Sequence, residues 1–191
     1  MILVFGSINA DLIVPVPRLP RPSETVLGGD YAMLPGGKGA NQALAARRAG
    51  AAVVLAGAVG SDPFADIALD LLRREGVDTR LVRVVEQPTG CAAIMVSEDG
   101  ENLIAVAPGA NMSVRSAQVA DEMLGPDITL VAQMEVPSGE TEALIRRVRA
   151  HHGRVLLNLA PAMCRLCAEH FCPTWLAIFM TPLSHLPTRS D

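Results

Sequence analysis

Short apolar runs along the chain alternate with segments whose hydrophobic residues recur every three or four positions. Ile2 to Phe5 is an apolar run closed by Gly6, the pattern of a buried strand. Gly39 to Arg48 reads as a helix ended by Gly50, and Val53 to Ala58 as the next buried strand. Asp62-Pro63 opens a helix with an N-cap followed by proline at the first helical position. Ile67, Ala68, Leu71 and Leu72 give that helix an apolar stripe, and Gly76 closes it. Further on, the pattern predicts a helix over Val114 to Leu124 and a strand over Ile128 to Gln133. Ser138 is expected to cap a helix with Glu140 and Glu142 near its positive end and Leu144, Ile145 and Val148 on its buried face. Gly153 ends it, and Val155 to Leu159 is the following strand.

Two stretches interrupt this alternation with strands alone. Leu12 to Val16 and Val26 to Met33 are strand-like around a proline-rich turn. Ala92 to Val96 and Leu103 to Ala107 flank Ser97 to Glu101, and Asp99-Gly100 between two apolar runs signals a hairpin. The reading is an α/β fold: a mostly parallel sheet with helices on both faces, plus a small separate sheet from about residues 12–34 and 81–107.

Composition narrows the classes. With 191 residues, half of them hydrophobic, the chain can bury one core. A net charge of -4 implies neither a nucleic-acid nor a membrane-surface partner, and Arg146, Arg147 and Arg149 read as a solvated helix face. The start lacks a basic secretory n-region, and no apolar run approaches the ~18 residues of a membrane span, so a cytoplasmic location is the default expectation. Beyond residue 162 the texture changes. Residues 163–191 hold Cys164, Cys167 and Cys172, the only tryptophan, and Pro173, Pro182 and Pro187, with a short strand at Leu176 to Met180. Cys164-x-x-Cys167 has zinc or redox spacing but lacks a second pair; a zinc site would have to recruit Cys172 and His170.

The segment richest in chemistry is Gly36-Gly37-Lys38-Gly39-Ala40-Asn41-Gln42-Ala43. Its glycines allow close approach of backbone to a ligand, and the following helix points free N–H groups at the loop. Lys38 adds a cationic donor and Asn41 an amide, equipment suited to polyols or anions. A tight strand-to-helix turn needing glycine only for shape fits the same pattern. A Walker A loop is excluded because Gly39, not Ser or Thr, follows Lys38. A dinucleotide fingerprint is excluded because Gln42 stands where its third glycine belongs. The first strand leads instead to Gly6-Ser7-Ile8-Asn9-Ala10-Asp11, which puts Asn9 and Asp11 just past a strand's C-terminal end, where open α/β sheets bind ligands. Capping of a turn by both is the plainer alternative.

Taken in order, these pieces resemble the PfkB carbohydrate kinases, and Gly-Gly-Lys-Gly-Ala-Asn-Gln-Ala is similar to the ribokinase branch. Supporting segments include Val59-Gly60-Ser61-Asp62, Pro88-Thr89-Gly90, Pro108-Gly109-Ala110-Asn111, Gln133-Met134-Glu135-Val136-Pro137 and Asn158-Leu159-Ala160-Pro161-Ala162. The resemblance runs over residues 1–162 and implies a ribokinase-like three-layer α/β/α fold whose small sheet is a lid, with residues 163–191 as an atypical tail. It implies transfer of phosphate from ATP to D-ribose, with Mg²⁺, and with potassium in full-length relatives. Asn9, Asp11, Gly37, Lys38, Gly39, Asn41 and Glu135 would bind the sugar, and two lids would join in a homodimer.

The same family carries its catalytic aspartate in an Asp-Thr-x-Gly-Ala-Gly-Asp run, which these residues do not contain. The Asn-x-x-Glu motif that helps place Mg²⁺ is absent as well, so the C-terminal part of the fold is expected to be missing. No catalytic residue is assigned, and these residues alone are not expected to phosphorylate ribose. A non-catalytic sugar-binding remnant and a kinase acting on another sugar or nucleoside are the alternative readings.

Overall fold

A computed structural model describes residues 1–161 and 176–178. The described strands form two sheets. The first contains β1 (Ile2–Phe5), β4 (Val53–Gly60), β5 (Asp78–Val85), β8 (Thr129–Ala132), β9 (Arg154–Asn158) and the short β10 (Leu176–Ile178). Its order is β10-β9-β8-β1-β4-β5, with every pairing parallel. The second contains β2 (Asn9–Val16), β3 (Ala32–Gly36), β6 (Gly90–Ser97) and β7 (Asn102–Ala107) in the order β3-β2-β6-β7. It is mixed: β2 runs parallel to β6, and the other two pairings are antiparallel.

Helices cover both faces of the parallel sheet, the three-layer α/β/α arrangement. On one side α1 (Lys38–Arg48) and α2 (Pro63–Arg74) bury Ala40, Ala43, Ala68, Leu69 and Leu72 against Val4, Leu55 and Val59. On the other, α3 (Ser138–Ala150) sets Leu144, Ile145 and Val148 against Leu3, Phe5, Ala56 and Leu130. Each of the buried leucine, isoleucine, valine and phenylalanine side chains contributes roughly 1.5–3 kcal/mol on burial, and the alanines less. β4 is buried along its whole length, which is why it reads as an unbroken apolar run.

Four local expectations change. Val114 to Leu124 is not a helix but two short 3₁₀ turns, Ser116–Gln118 and Asp121–Met123. Tertiary partners take the groups that helix bonds would have used: Arg147 donates to the Ser116 and Val119 carbonyls, and Glu140 accepts from the Ser116 amide and hydroxyl. Leu81 to Val85 lies in β5 of the parallel sheet rather than in the small one; Pro88 marks the break that strand-like composition alone did not reveal. The strand expected at Val26 to Met33 forms at Ala32–Gly36, while Gly29 hydrogen-bonds the Pro15 carbonyl beside β2 without joining a ladder. Ser138 is the first helical residue and caps nothing; of the two acidic residues only Glu140 lies in the first turn.

The hairpin at Asp99-Gly100 forms as expected, and Leu176–Ile178 pairs parallel with β9. Cys164, Cys167, His170 and Cys172, and with them the zinc reading and the rest of the 163–191 tail, lie outside the described residues. Among the described residues no helix is long and apolar enough to cross a membrane.

Asp62 caps α2 as expected, accepting from the Phe64 and Ala65 amides at 3.0 and 3.2 Å. Its second oxygen accepts the Thr89 amide at 2.7 Å, tying the start of α2 to the approach to β6. Burial works to raise this carboxyl, but the bonds from Thr89, Ala65 and Phe64 outweigh it and hold the group below its ordinary value of 3.8. A depressed carboxylate adds stability above its unfolded value and loses it as pH falls through the folded one. Asp62→Ala is therefore expected to cost about 1–2 kcal/mol at neutral pH. In urea denaturation the gap to wild type should close below about pH 4; a gap that persists unchanged at pH 3 would contradict this role.

Candidate functional site

Three chain segments meet at the C-terminal edge of the parallel sheet. Residues Gly6 to Asn9 leave β1, residues Gln133 to Val136 leave β8, and the Gly36 to Gly39 loop enters α1. The contact is backbone on backbone. The Ala40 amide donates to the Ser7 carbonyl at 2.9 Å. A Cβ on Gly39 would lie 2.6 Å from the Gly6 carbonyl carbon and 2.7 Å from the Ser7 nitrogen. Gly37 has φ of 90°, and a Cβ there would lie 2.8 Å from both the Asn9 nitrogen and the Ser7 oxygen. The glycines therefore serve a close approach within the protein as well as a turn.

Glu135 organises the junction. Its Oε1 pairs with Lys38 Nζ at 2.9 Å, and its Oε2 accepts the Ser7 hydroxyl at 2.5 Å and the Lys38 amide at 3.1 Å. The Gly39 amide donates to Ser7 Oγ at 3.3 Å. The opening amides of α1, which the sequence suggested were free to receive a ligand, are thus taken by Glu135 and Ser7. The carboxylate at the helix's positive end is the protein's own.

Asp11 stands differently. A Cβ on Gly36 would lie 2.1 Å from its carboxylate, so the glycine makes the space the carboxylate occupies. Asp11 Oδ1 is buried and has no hydrogen-bond partner. Burial is the main cause pushing this carboxyl above its ordinary value; the charge of Glu135 adds to the rise and Lys38 opposes it. A buried carboxylate oxygen without a donor is costly in the protein alone and suits a ligand hydroxyl. Asn9 is buried, and its Oδ1 accepts from Asn111 Nδ2 at 2.8 Å. Asn111 in turn exchanges bonds with the Ile8 backbone.

The structure thus brings Asp11, Lys38 and Glu135 into one electrostatic cluster, with Asn9, Gly37 and Gly39 in its walls. Asn41 lies on the exposed face of α1, where its backbone amide bonds the Gly37 carbonyl. Sequence reasoning did not single out Ser7, Asn111 or Gln133. Gln133 is wholly buried, donates to Gln42 at 2.7 Å and leaves its own Oε1 without a partner. Ser7 and Gln133 could have been found as polar residues just past the buried strands β1 and β8, whereas Asn111 sits in a 3₁₀ turn, Gly109–Ser113, that only the fold brings to Ile8 and Asn9. Cys91 faces Ala10 in the β2–β6 pairing, where burial and then the Asp11 charge push its thiol up, away from an activated nucleophile. Open grooves of about 450 Å³ by Arg18, Glu24 and Glu101, and about 570 Å³ by Arg83, Gln87 and Arg115, lie elsewhere. Among the described residues no three acidic, histidine or cysteine side chains gather to ligate a metal.

Comparison with known proteins supports the fold. The profile described as pfkB family carbohydrate kinase matches residues 1–179, past the point where the motif resemblance ends. The chain is 40% identical over 162 residues to the ribokinase of Lactococcus lactis, covering 83% of this chain and 54% of that protein. It is 38% identical over 162 residues to the ribokinase of Haemophilus influenzae, covering 83% and 53%. The structure of Arabidopsis thaliana ribokinase complexed with ribose and ATP superposes with a TM-score of 0.71 at 30% identity, covering 83% of this chain and 53% of that one. The chain spans about half the length of the curated relatives it matches. On the extent of the family match and these identities, the chain belongs to the pfkB family of carbohydrate kinases.

Proposed function

We propose that this chain carries the sugar-binding side of a ribokinase-type kinase, one that phosphorylates D-ribose to D-ribose 5-phosphate. The observation that carries the reading is Asp11: a buried carboxylate oxygen without a donor, beside a glycine that makes room for it, at the C-terminal edge of the sheet. Neighbouring hydroxyls of a sugar supply the missing donors. Asn9, fixed by Asn111, lines the same wall, and Lys38 offers an ammonium held in place by Glu135. Glu135 already accepts three donors, so it serves the sugar chiefly through Lys38 and the loop.

The phosphoryl donor in this reading is ATP with Mg²⁺, as in the Arabidopsis complex with ribose and ATP for the nucleotide. The described residues gather no cluster of three acidic, histidine or cysteine side chains and offer no second glycine-rich helix start, so no step is assigned through the nucleotide, Mg²⁺ or potassium. In-line transfer also needs a base at the attacking hydroxyl. The resemblance places it in the signature that these 191 residues lack, so binding rather than turnover is the property to measure on this chain.

Titration calorimetry with D-ribose tests the reading. Asp11→Ala is expected to weaken binding on the order of 2–4 kcal/mol, the cost of charge-assisted bonds in a shielded site. Wild-type affinity should fall as pH drops through the raised Asp11 value, starting above the ordinary 3.8. Equal ribose affinity of wild type and variant, or no binding by wild type at neutral pH, would contradict the proposal.

The small sheet reads as a lid that also joins two copies. Leu34, Leu103, Ile104 and Val106 are about half exposed on it, and the outer edge of β7 has no partner strand among the described residues. Light scattering should show a dimer for wild type and a monomer for Ile104→Glu; a wild-type monomer would remove the dimer from the account.

A further inference from the structure

Ser7 has no role in the sequence-based reading, yet it is wholly buried and sits between the two elements that define the site. Its hydroxyl donates to Glu135 Oε2 at 2.5 Å and accepts the Gly39 amide at 3.3 Å, while its carbonyl accepts the Ala40 amide at 2.9 Å. Glu135 in turn holds Lys38 by both side chain and amide. The chain of contacts is Gly39 N–H to Ser7 Oγ, Ser7 O–H to Glu135, and Glu135 to Lys38.

We propose that Ser7 is a positioning residue for the sugar site: its hydroxyl fixes the Glu135 carboxylate, and through it the Lys38 ammonium and the glycine loop, in the arrangement that receives the ligand. The charge bookkeeping supports a latch. Oε2 carries two donors and Oε1 one, so the carboxylate is occupied by the protein and restrained from swinging towards Asp11, whose charge repels it. A serine serves here because the hydroxyl donates and accepts at once. An alanine would leave the Gly39 amide without its side-chain acceptor and remove one of the two donors on Glu135 Oε2. The inference rests on the sugar reading for its consequence but not for its geometry, and the two are tested separately.

The geometry is tested on ligand-free protein by amide hydrogen exchange. In Ser7→Ala the Lys38 and Gly39 amides should exchange at least about tenfold faster, the scale of one lost hydrogen bond, while the amides of α3 keep wild-type rates. In Glu135→Ala the Gly39 amide should accelerate too, although it bonds Ser7 and not Glu135. That variant alters a partly exposed side chain and carries the test if Ser7→Ala does not fold. A Gly39 amide that keeps its wild-type rate in Glu135→Ala would reduce Ser7 to a local turn contact and overturn the proposal. The consequence is tested by a double-mutant cycle in D-ribose affinity. Each single variant should lose about tenfold or more, and Ser7→Ala should add nothing in the Glu135→Ala background, since it acts through that carboxylate. Losses that multiply would show that Ser7 acts independently. Absence of ribose binding in wild type would instead sink the sugar reading and leave the exchange experiment to decide the latch.

Discussion

The structure depends on one close approach: the turn into α1 lies directly on the segment leaving β1, with no room for a Cβ between them. At Gly39 the gap to the Gly6 and Ser7 backbone admits only hydrogen, and at Gly37 the positive φ and the contact with Ser7 and Asn9 impose the same requirement. Backbone cannot yield as a flexible side chain can. A substituent at either position has to push the loop off β1, and with it the Lys38 and Glu135 pair. The order of events is physical: the glycines permit the approach, Ser7 and Glu135 fasten it with hydrogen bonds, and the ammonium of Lys38 is left beside the Asp11 carboxylate.

Parallel topology explains why these groups meet. β8 and β4 flank β1, so the segments leaving β1 and β8 emerge side by side at one edge, where the N-terminus of α1 also points. Positive charge at that helix end, an ammonium and two carboxylates therefore share a small volume. Glu135 neutralises the first two. Asp11, further along β2, is left with burial as its dominant influence and with one buried oxygen that has no donor. The small sheet contributes by carrying Asp11: β2 belongs to it, so any movement of that sheet carries the acceptor with it.

Much of this was legible in the residues because it rests on local rules. Asp62-Pro63 marked a helix start, Asp99-Gly100 a hairpin, and the apolar run of β4 a buried strand. Asn9 and Asp11 were singled out by the rule that ligands gather beyond strand ends, and Lys38 by the glycine-rich loop that opens a helix. Non-local choices were hidden. Whether Leu81 to Val85 pairs with β4 or with the small sheet depends on partners far away in sequence, and Val114 to Leu124 has helical spacing that Arg147 and Glu140 override. The sequence likewise could not show that the α1 amides are filled by Glu135 and Ser7, because those bonds span 97 and 32 positions. Asn41, which fits the motif, lies exposed in the first turn of α1.

The most direct test of the central claim is a crystal structure of the chain with D-ribose. The account predicts a sugar hydroxyl within hydrogen-bond distance of Asp11 Oδ1, with the Gly36 to Gly39 loop still seated on Ser7 and Glu135 still paired with Lys38. Ribose bound away from Asp11, or a loop lifted from the β1 segment to admit it, would contradict the claim that the close approach builds the site.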